Sequence, residues 1–192
     1  GGNFVNSSPI GDMSVFFLAL NSTLTIQHKN ETIRQIPFHE FHQDYKKYDL
    51  QKGEILKSIT FNILETTSVF NFEKVSKRTH LDIASVNASA KISIENNRIT
   101  AAHFAMGGVA AVPKYAVKTA DFIIGKSINS EIIKTAQEIL QSEISPISDV
   151  RGSATYKRFL ARQLFFAHFI ELFPTKINLQ QLIAKKSSNN NS

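Results

Sequence analysis

The 192 residues are enough for one large domain, or for a small domain with part of another attached; 42% are apolar and 15 are phenylalanine, which can fill a core. No apolar run approaches the ~18 residues of a membrane span and no secretory leader is visible, so we expect a cytoplasmic protein without membrane contact. The lack of cysteine excludes disulfides and iron–sulfur ligation by this chain, and the net charge of +6 is too dispersed to favour nucleic-acid binding.

The first twelve residues read Gly-Gly-Asn-Phe-Val-Asn-Ser-Ser-Pro-Ile-Gly-Asp. Gly1 and Gly2 permit positive φ and a close approach of the backbone to a ligand, and Asn3 adds a short polar side chain. Asp12 stands before an apolar run, where it can cap a helix. Such a polar, backbone-rich loop suits a phosphate or a sugar hydroxyl, although an ordinary turn before a helix has the same residue types.

The next elements are short. Residues 13–20 predict a buried helix, and residues 23–27 and 32–35 predict two strands around a turn. His39 and His42 are three residues apart on a possible helical turn, which could form a metal pair, but no third ligand lies at motif spacing. We interpret them as surface histidines that flank buried Phe38 and Phe41.

The middle of the chain predicts an antiparallel sheet. A strand over residues 69–78 ends in the cationic run Lys-Val-Ser-Lys-Arg, which makes an anion site plausible there. Residues 84–95 alternate small or branched apolar residues with polar ones, as a half-buried strand does. Asn96 and Asn97 can supply the positive φ of a tight hairpin, and the returning strand over residues 98–106 ends at Gly107-Gly108.

The last third predicts three helices. Pro113 fits the first turn of a helix that stops at Gly125, and residues 130–143 repeat apolar side chains at helical spacing. A third helix covers about residues 153–173, with Tyr156, Phe159, Leu160 and Leu164 among the side chains expected to face inward. The fold class is therefore α+β, an antiparallel sheet with a three-helix layer.

Four stretches, in order, resemble the FAD-binding part of the molybdenum hydroxylases, the xanthine dehydrogenase and carbon monoxide dehydrogenase flavoprotein family. They are the Gly-Gly-Asn…Ser-Pro-Ile-Gly-Asp opening, the Tyr-Lys-Lys…Glu-Ile-Leu run at residues 45–56, Lys-Val-Ser-Lys-Arg…Asp-Ile-Ala at residues 74–84, and Gly-Gly-Val-Ala-Ala-Val-Pro at residues 107–113. The similarity covers residues 1 to about 173.

The resemblance implies roles that the residue types only permit. Gly1, Gly2 and Asn3 would bring backbone to FAD, and Asp12 would accept hydrogen bonds from its hydroxyls. Leu56 would shield the ring system, and Lys74 would favour negative charge on the flavin or its pyrophosphate. The same resemblance implies no catalytic acid, base or nucleophile and no metal ligand in this chain.

It also implies a function and partners. Electrons from a molybdenum site would pass through 2Fe-2S clusters to FAD and then to NAD, with the molybdenum cofactor and the clusters on other domains or subunits. A polar break at residues 65–68 separates two β-like runs, so we place a domain boundary there. Residues 1–65 would complete an FAD-binding domain begun upstream, 66–186 would form the flavoprotein C-terminal domain, and 187–192 a disordered tail. We therefore expect a fragment of a larger enzyme. The alternative is a non-catalytic α+β module that docks another protein.

Overall fold

The computed structural model describes residues 2–78 and 82–183. The helices among them are α1 (Gly2–Val5), α2 (Asp12–Ala19), α3 (Phe38–Phe41), α4 (Val117–Ile123), α5 (Ser130–Glu143), α6 (Ala154–Leu172) and α7 (Leu179–Ile183). The strands are β1 (Thr23–His28), β2 (Ile33–Pro37), β3 (His42–Asp44), β4 (Lys47–Tyr48), β5 (Glu54–Thr60), β6 (Ser68–Ser76), β7 (Ala84–Glu95), β8 (Arg98–Gly107) and β9 (Lys114–Tyr115). The predicted tail, residues 187–192, lies outside the described residues.

The strands form two antiparallel sheets and a small hairpin. The larger sheet has the order β6-β7-β8-β9, the smaller one has the order β2-β1-β5, and β3 pairs with β4. The predicted turn between β7 and β8 is confirmed, because Asn96 and Asn97 have φ of 48° and 62°. The α+β class predicted from the sequence is confirmed.

Helices α4, α5 and α6 cover one face of the larger sheet. The core between them includes Ile92, Phe104 and Phe165, each 1% exposed or less. The bounds predicted for α5 are those observed. Pro113, however, does not begin a helix. The chain after it forms β9, where Tyr115 pairs with Ala105, and α4 begins only at Val117. Pairing with the end of β8 outweighs the helix signal of the proline.

The predicted orientation of α6 is correct for Leu160 and Leu164, which are buried, and wrong for Tyr156 and Phe159, which are 44% and 53% exposed. The buried stripe instead includes Phe165, Phe166 and Phe169 near the C-terminal end of the helix. Apolar side chains lie on more than one side of α6, so their spacing does not single out one hydrophobic face, which explains the error.

The other face of the larger sheet is also covered, by α2. The prediction of a half-buried β7 is therefore wrong for its first half: Ser85, Asn87 and Ser89 are all 2% exposed or less. The Ser89 hydroxyl donates to the carbonyl of Val15 at 2.6 Å. Small polar residues that bond to the covering backbone make this face a second buried layer.

The segment 2–61 and the larger sheet share one core. Phe4, Leu24 and Phe38 pack with Ala105 of β8, and Phe70 and Phe72 of β6 pack against this cluster. The domain boundary after residue 65 remains a prediction. Within residues 2–78 and 82–183, every helix is too short or too polar to cross a bilayer.

Candidate functional site

The opening segment, residues 2–12, is more ordered than the loop that its sequence predicts. Gly2–Val5 form the helical turn α1, so Gly2 has helical backbone and does not use the positive φ that glycine permits. A Cβ added at Gly2 would meet no described atom within 4 Å. This backbone is therefore open to an approaching group. Gly1 lies outside the described residues.

The prediction that Asp12 caps α2 is wrong. Asp12 is the first residue of the helix, and the cap position is occupied by Gly11, which has no side chain. The side-chain oxygen of Asn3 takes over this function and accepts a hydrogen bond from the amide of Met13 at 3.3 Å. The Asp12 carboxylate is thereby free to contact the sheet. It also lies at a helix N-terminus, where negative charge is favourable.

Asp12 joins α2 to two strands. Its Oδ2 lies 2.7 Å from the Lys74 ammonium on β6, and its Oδ1 accepts a hydrogen bond of 2.5 Å from the Asn87 amide on β7. The side chains of Asp12 and Lys74 are 39% and 30% exposed, so both remain accessible from one edge. Asn3, Asp12 and Lys74 thus form a site that presents an amide, a carboxylate and an ammonium.

Leu56 packs against apolar residues rather than against this polar cluster. It pairs with Ile26 across β1 and β5 and is partly buried against the core of the segment 2–61. A core position on a strand accounts for these contacts. The predicted role of Leu56 in shielding a ring system stays a prediction.

A cavity of about 800 Å³ borders the same opening segment. Its walls come from residues 6–10, the β3–β4 turn, the loop after β8 and the entry to α6; among the lining residues are Asn6, Ile10, Tyr45, Lys46, Ala110, Ile147 and Arg151. Mostly apolar walls with a few charged groups are typical of sites for small organic ligands. The cavity borders the opening segment at Asn6 and Ile10, and Asn3, Asp12 and Lys74 are not among its lining residues.

Lys157 supports one wall of this cavity. Its side chain is 3% exposed, and its ammonium lies 2.7 Å from Asp149 and 3.0 Å from the Ile147 carbonyl. Burial opposes the charged form of Asp149, but hydrogen bonds from Lys157 and from the Arg151 amide hold the pKa of Asp149 below its ordinary value. A paired buried charge of this kind fixes the loop before α6.

The diglycine at the end of β8 fits the opening segment against the sheet. Gly108 has φ of +82°, and its amide donates to the Pro9 carbonyl at 2.8 Å. A Cβ at Gly108 would lie 2.4 Å from the Ser85 carbonyl oxygen, and one at Gly107 would lie 2.1 Å from Asn87 Oδ1. Side chains at either position would push the segment away.

The two histidines differ from the interpretation made from the sequence. His42 is buried at 9% exposure, and its Nε2 lies 2.8 Å from the Phe4 carbonyl oxygen. His39 stacks on Tyr115 with ring centroids 5.0 Å apart. The expectation of a surface position is therefore wrong for His42. Among the described residues, no three His, Cys, Asp or Glu side chains come together as metal ligands.

Asn87 is the site residue that sequence reasoning missed. It is fully buried and also donates to the Ile10 carbonyl at 3.2 Å, so it holds both ends of the turn into α2. The available signal was the first half of the polar face of β7, which carries Ser85, Asn87 and Ser89, whereas Lys91 and Glu95 follow in the second half. Small hydrogen-bonding residues are typical of a face that another element covers.

Two known families match the chain. The family described as the CO dehydrogenase flavoprotein C-terminal domain matches residues 72–172, which is more than half of the sequence. The family described as the FAD binding domain in molybdopterin dehydrogenase matches residues 1–61.

Individual relatives agree. The chain is 31% identical over 178 residues to xanthine dehydrogenase 1 of Arabidopsis thaliana, covering 88% of this chain and 13% of that protein. It is 30% identical over 172 residues to the glyceraldehyde dehydrogenase medium chain of Sulfolobus acidocaldarius, covering 90% and 60%. The chain thus spans only part of the length of these relatives.

Solved structures share the fold. Carbon monoxide dehydrogenase from Hydrogenophaga pseudoflava superposes with a TM-score of 0.80 at 21% identity, over 86% of this chain and 57% of that one. Quinoline 2-oxidoreductase from Pseudomonas putida gives a TM-score of 0.73 at 27% identity, over 86% and 56%. The chain therefore belongs to the FAD-binding subunits of the molybdenum hydroxylase family, with the flavoprotein C-terminal domain as its larger part.

Proposed function

We propose that this chain helps to hold FAD in a xanthine dehydrogenase-like molybdenum hydroxylase, with Gly1, Gly2, Asn3, Asp12, Leu56 and Lys74 as its FAD contacts. The observation that carries the proposal is the 2.7 Å contact between Lys74 and Asp12, two residues 62 positions apart in the chain, at the end of the opening segment. When bound, FAD would supply the redox chemistry, taking electrons from iron–sulfur clusters and delivering them to NAD.

The residues fit the chemistry of that cofactor. FAD offers hydroxyl groups and a pyrophosphate, and the site offers a carboxylate to accept from hydroxyls and an ammonium to attract phosphate. The contact of each charge with the other keeps both ordered before a ligand arrives. The open backbone at Gly2 leaves room for close approach.

The groups that would exchange electrons with FAD are proposed from the relatives. Iron–sulfur clusters, a molybdenum-binding subunit and the rest of the FAD-binding domain would lie on other parts of the enzyme, since this chain has no cysteine to ligate a cluster. The names of the relatives differ in substrate, from xanthine to glyceraldehyde and carbon monoxide, so we propose no substrate. We expect the chain on its own to be inactive.

The test is FAD binding by the protein that carries this chain, followed by flavin fluorescence and absorbance. Asp12→Ala and Lys74→Met should each weaken binding by roughly tenfold to a hundredfold, the effect of losing a charge-assisted hydrogen bond. Lys52→Met removes an exposed lysine elsewhere and should leave the affinity unchanged. The 192 residues alone should bind FAD weakly.

The alternative, a non-catalytic docking module, gives different results. It predicts no flavin absorbance in the purified protein and equal behaviour of the three variants. Tight binding by the 192 residues alone would contradict the expectation that the cofactor site needs the rest of the enzyme.

A further inference from the structure

Lys46 occupies a turn position that does not favour lysine. It lies between β3 and β4 with φ of 58°, in the left-handed region that glycine and asparagine adopt most easily. Its partner in the turn, Tyr45, receives local support because its amide donates to the Asp44 carboxylate at 2.7 Å. A strained residue that is neither glycine nor asparagine suggests that its side chain has a function.

The side chain of Lys46 contacts the opening segment. Its ammonium donates to the carbonyl of Asn6 at 2.9 Å and lies 3.2 Å from the Asn6 side-chain oxygen. The next residue, Ser7, is also left-handed, with φ of 50°, and its buried hydroxyl has no hydrogen-bond partner among the described residues. Strained backbone thus lies on both sides of the contact, and the contact holds it.

His42 makes a second contact from the same hairpin. Its Nε2 lies 2.8 Å from the Phe4 carbonyl oxygen, which requires Nε2 to carry the proton and donate. Burial lowers the pKa of His42, which favours the neutral imidazole. Phe4 is in the last turn of α1 and Asn6 follows that helix; the Phe4 carbonyl also accepts from the Ser7 amide at 3.1 Å. Two hairpin side chains therefore bond to backbone carbonyls at the end of α1.

We propose that Lys46 and His42 are positioning residues, and that the β3–β4 hairpin is a clamp that holds the opening segment in place to bind FAD. This rests on the proposed function, because the segment carries Asn3 and Asp12. The clamp acts on one end of the segment, while Gly108 and Asn87 hold the other end through the carbonyls of Pro9 and Ile10.

The variant Lys46→Gly removes the contact with the opening segment without disturbing the β3–β4 turn. Glycine relieves the backbone strain, so the hairpin should fold as well as before, while the ammonium is lost. In the protein carrying this chain, amide exchange at Asn6 and Ser7 should become about tenfold faster, and FAD affinity should fall about tenfold. Lys46→Arg should restore both within about threefold, because the guanidinium also donates to carbonyls.

His42→Leu and His42→Gln provide a second pair. Leucine removes the donor to Phe4 and should accelerate exchange in the opening segment, whereas the amide of glutamine can still donate and should rescue it. Lys47→Met, on the next residue of the hairpin, is the matched control and should change neither exchange nor affinity.

Unchanged exchange at Asn6 and Ser7 in Lys46→Gly would overturn the clamp, whatever the flavin affinity. So would an equal loss of FAD affinity in Lys46→Gly and Lys47→Met with no loss in Lys46→Arg, because that pattern follows net charge alone. If the unaltered protein binds no FAD, the proposed function fails; the exchange measurement still tests the clamp, because it needs no cofactor.

Discussion

The Lys74 ammonium on β6 lies 2.7 Å from the Asp12 carboxylate at the start of α2. Lys74 is on an edge strand of the larger sheet, and Asp12 begins the helix that covers that sheet. The contact therefore connects the part of the chain matched by the FAD-binding family with the part matched by the flavoprotein C-terminal family. Its partial exposure gives it little weight in stability and leaves it accessible to a ligand.

A double-mutant cycle on Asp12→Ala and Lys74→Met tests how little the ion pair contributes to stability. The coupling free energy should be about 0.5 kcal/mol, as for other partly exposed ion pairs. Asp12→Ala alone should cost more, about 2 kcal/mol, because the buried Asn87 amide loses its 2.5 Å partner. Urea unfolding measures all three. Equal costs for the two single variants would show that the Asn87 contact contributes nothing.

Gly108 and Gly125 separate backbone strain from steric overlap. Both have positive φ, +82° and +79°, but a Cβ at Gly108 would lie 2.4 Å from the Ser85 carbonyl, whereas at Gly125 it would meet nothing within 4 Å. Gly125→Ala should cost about 1 kcal/mol from strain alone. Gly108→Ala should cost more than about 3 kcal/mol, since backbone must move. Similar losses on thermal unfolding would contradict the close fit of the opening segment.

Elements whose signals are local were predictable from the sequence. The turn at Asn96-Asn97 and the bounds of α5 depend on residue preference and apolar spacing, and both are as predicted. Contacts between distant residues were not predictable. The N-cap residues of α2 and α4 are Gly11 and Ala116, which have no polar side chain to cap the helix, and the distant side chains of Asn3 and Glu143 bond to the first amides instead.

Some residues of the candidate site were predictable from the sequence and others were not. The resemblance picked out Asp12 and Lys74, which meet, because motif order carries information about a shared site. Lys46 bonds to a backbone carbonyl of the opening segment, and such a bond leaves no pattern in the sequence. Asn87 also bonds to a carbonyl of that segment, and its signal was the run of small polar residues on the first half of β7. The alternation of β7 shows only which side chains share a face, so it predicted a face in water although α2 covers that face.

His168 should make stability depend on pH. It is fully buried on α6, with Nδ1 3.2 Å from the Asn71 amide and Nε2 without a partner among the described residues, and burial lowers its pKa from 6.5 to about 3. Between these values the unfolded chain binds a proton that the folded chain does not. The free energy of unfolding should therefore be highest above pH 6.5 and fall as the pH drops toward 3, with a slope of up to ~1.4 kcal/mol per pH unit from this residue.

The variant His168→Leu should reduce the slope between pH 6.5 and 4 by up to ~1.4 kcal/mol per pH unit. Burial also lowers the pKa of His103, to about 4, and that of His42, so these two residues keep part of the dependence. Asn71 keeps its 2.9 Å bond to Glu73 in that variant, so its amide is not left unpaired. Urea unfolding at several pH values measures the slope, and the titration of the imidazole by NMR gives an independent value. An unchanged slope together with an ordinary imidazole titration would exclude His168 as the source.

Glu143 is the cap of a helix to which it does not belong. It is the last residue of α5, yet its carboxylate accepts from the α4 amides of Lys118 at 3.0 Å and Thr119 at 2.8 Å, and from the Thr119 hydroxyl at 2.6 Å. A carboxylate is unfavourable at the C-terminus of its own helix and favourable at the N-terminus of another. Glu143→Ala should therefore cost about 2 kcal/mol, near the upper end for loss of a cap, and Glu143→Gln about half of that.

Glu138→Ala removes an exposed carboxylate from the same helix and should change the free energy of unfolding by less than about 0.5 kcal/mol. Equal effects of Glu143→Ala and Glu138→Ala in urea unfolding would mean that water can replace the cap, and that α4 is held by Ala120 and Ile123 in the core rather than by its N-terminal amides.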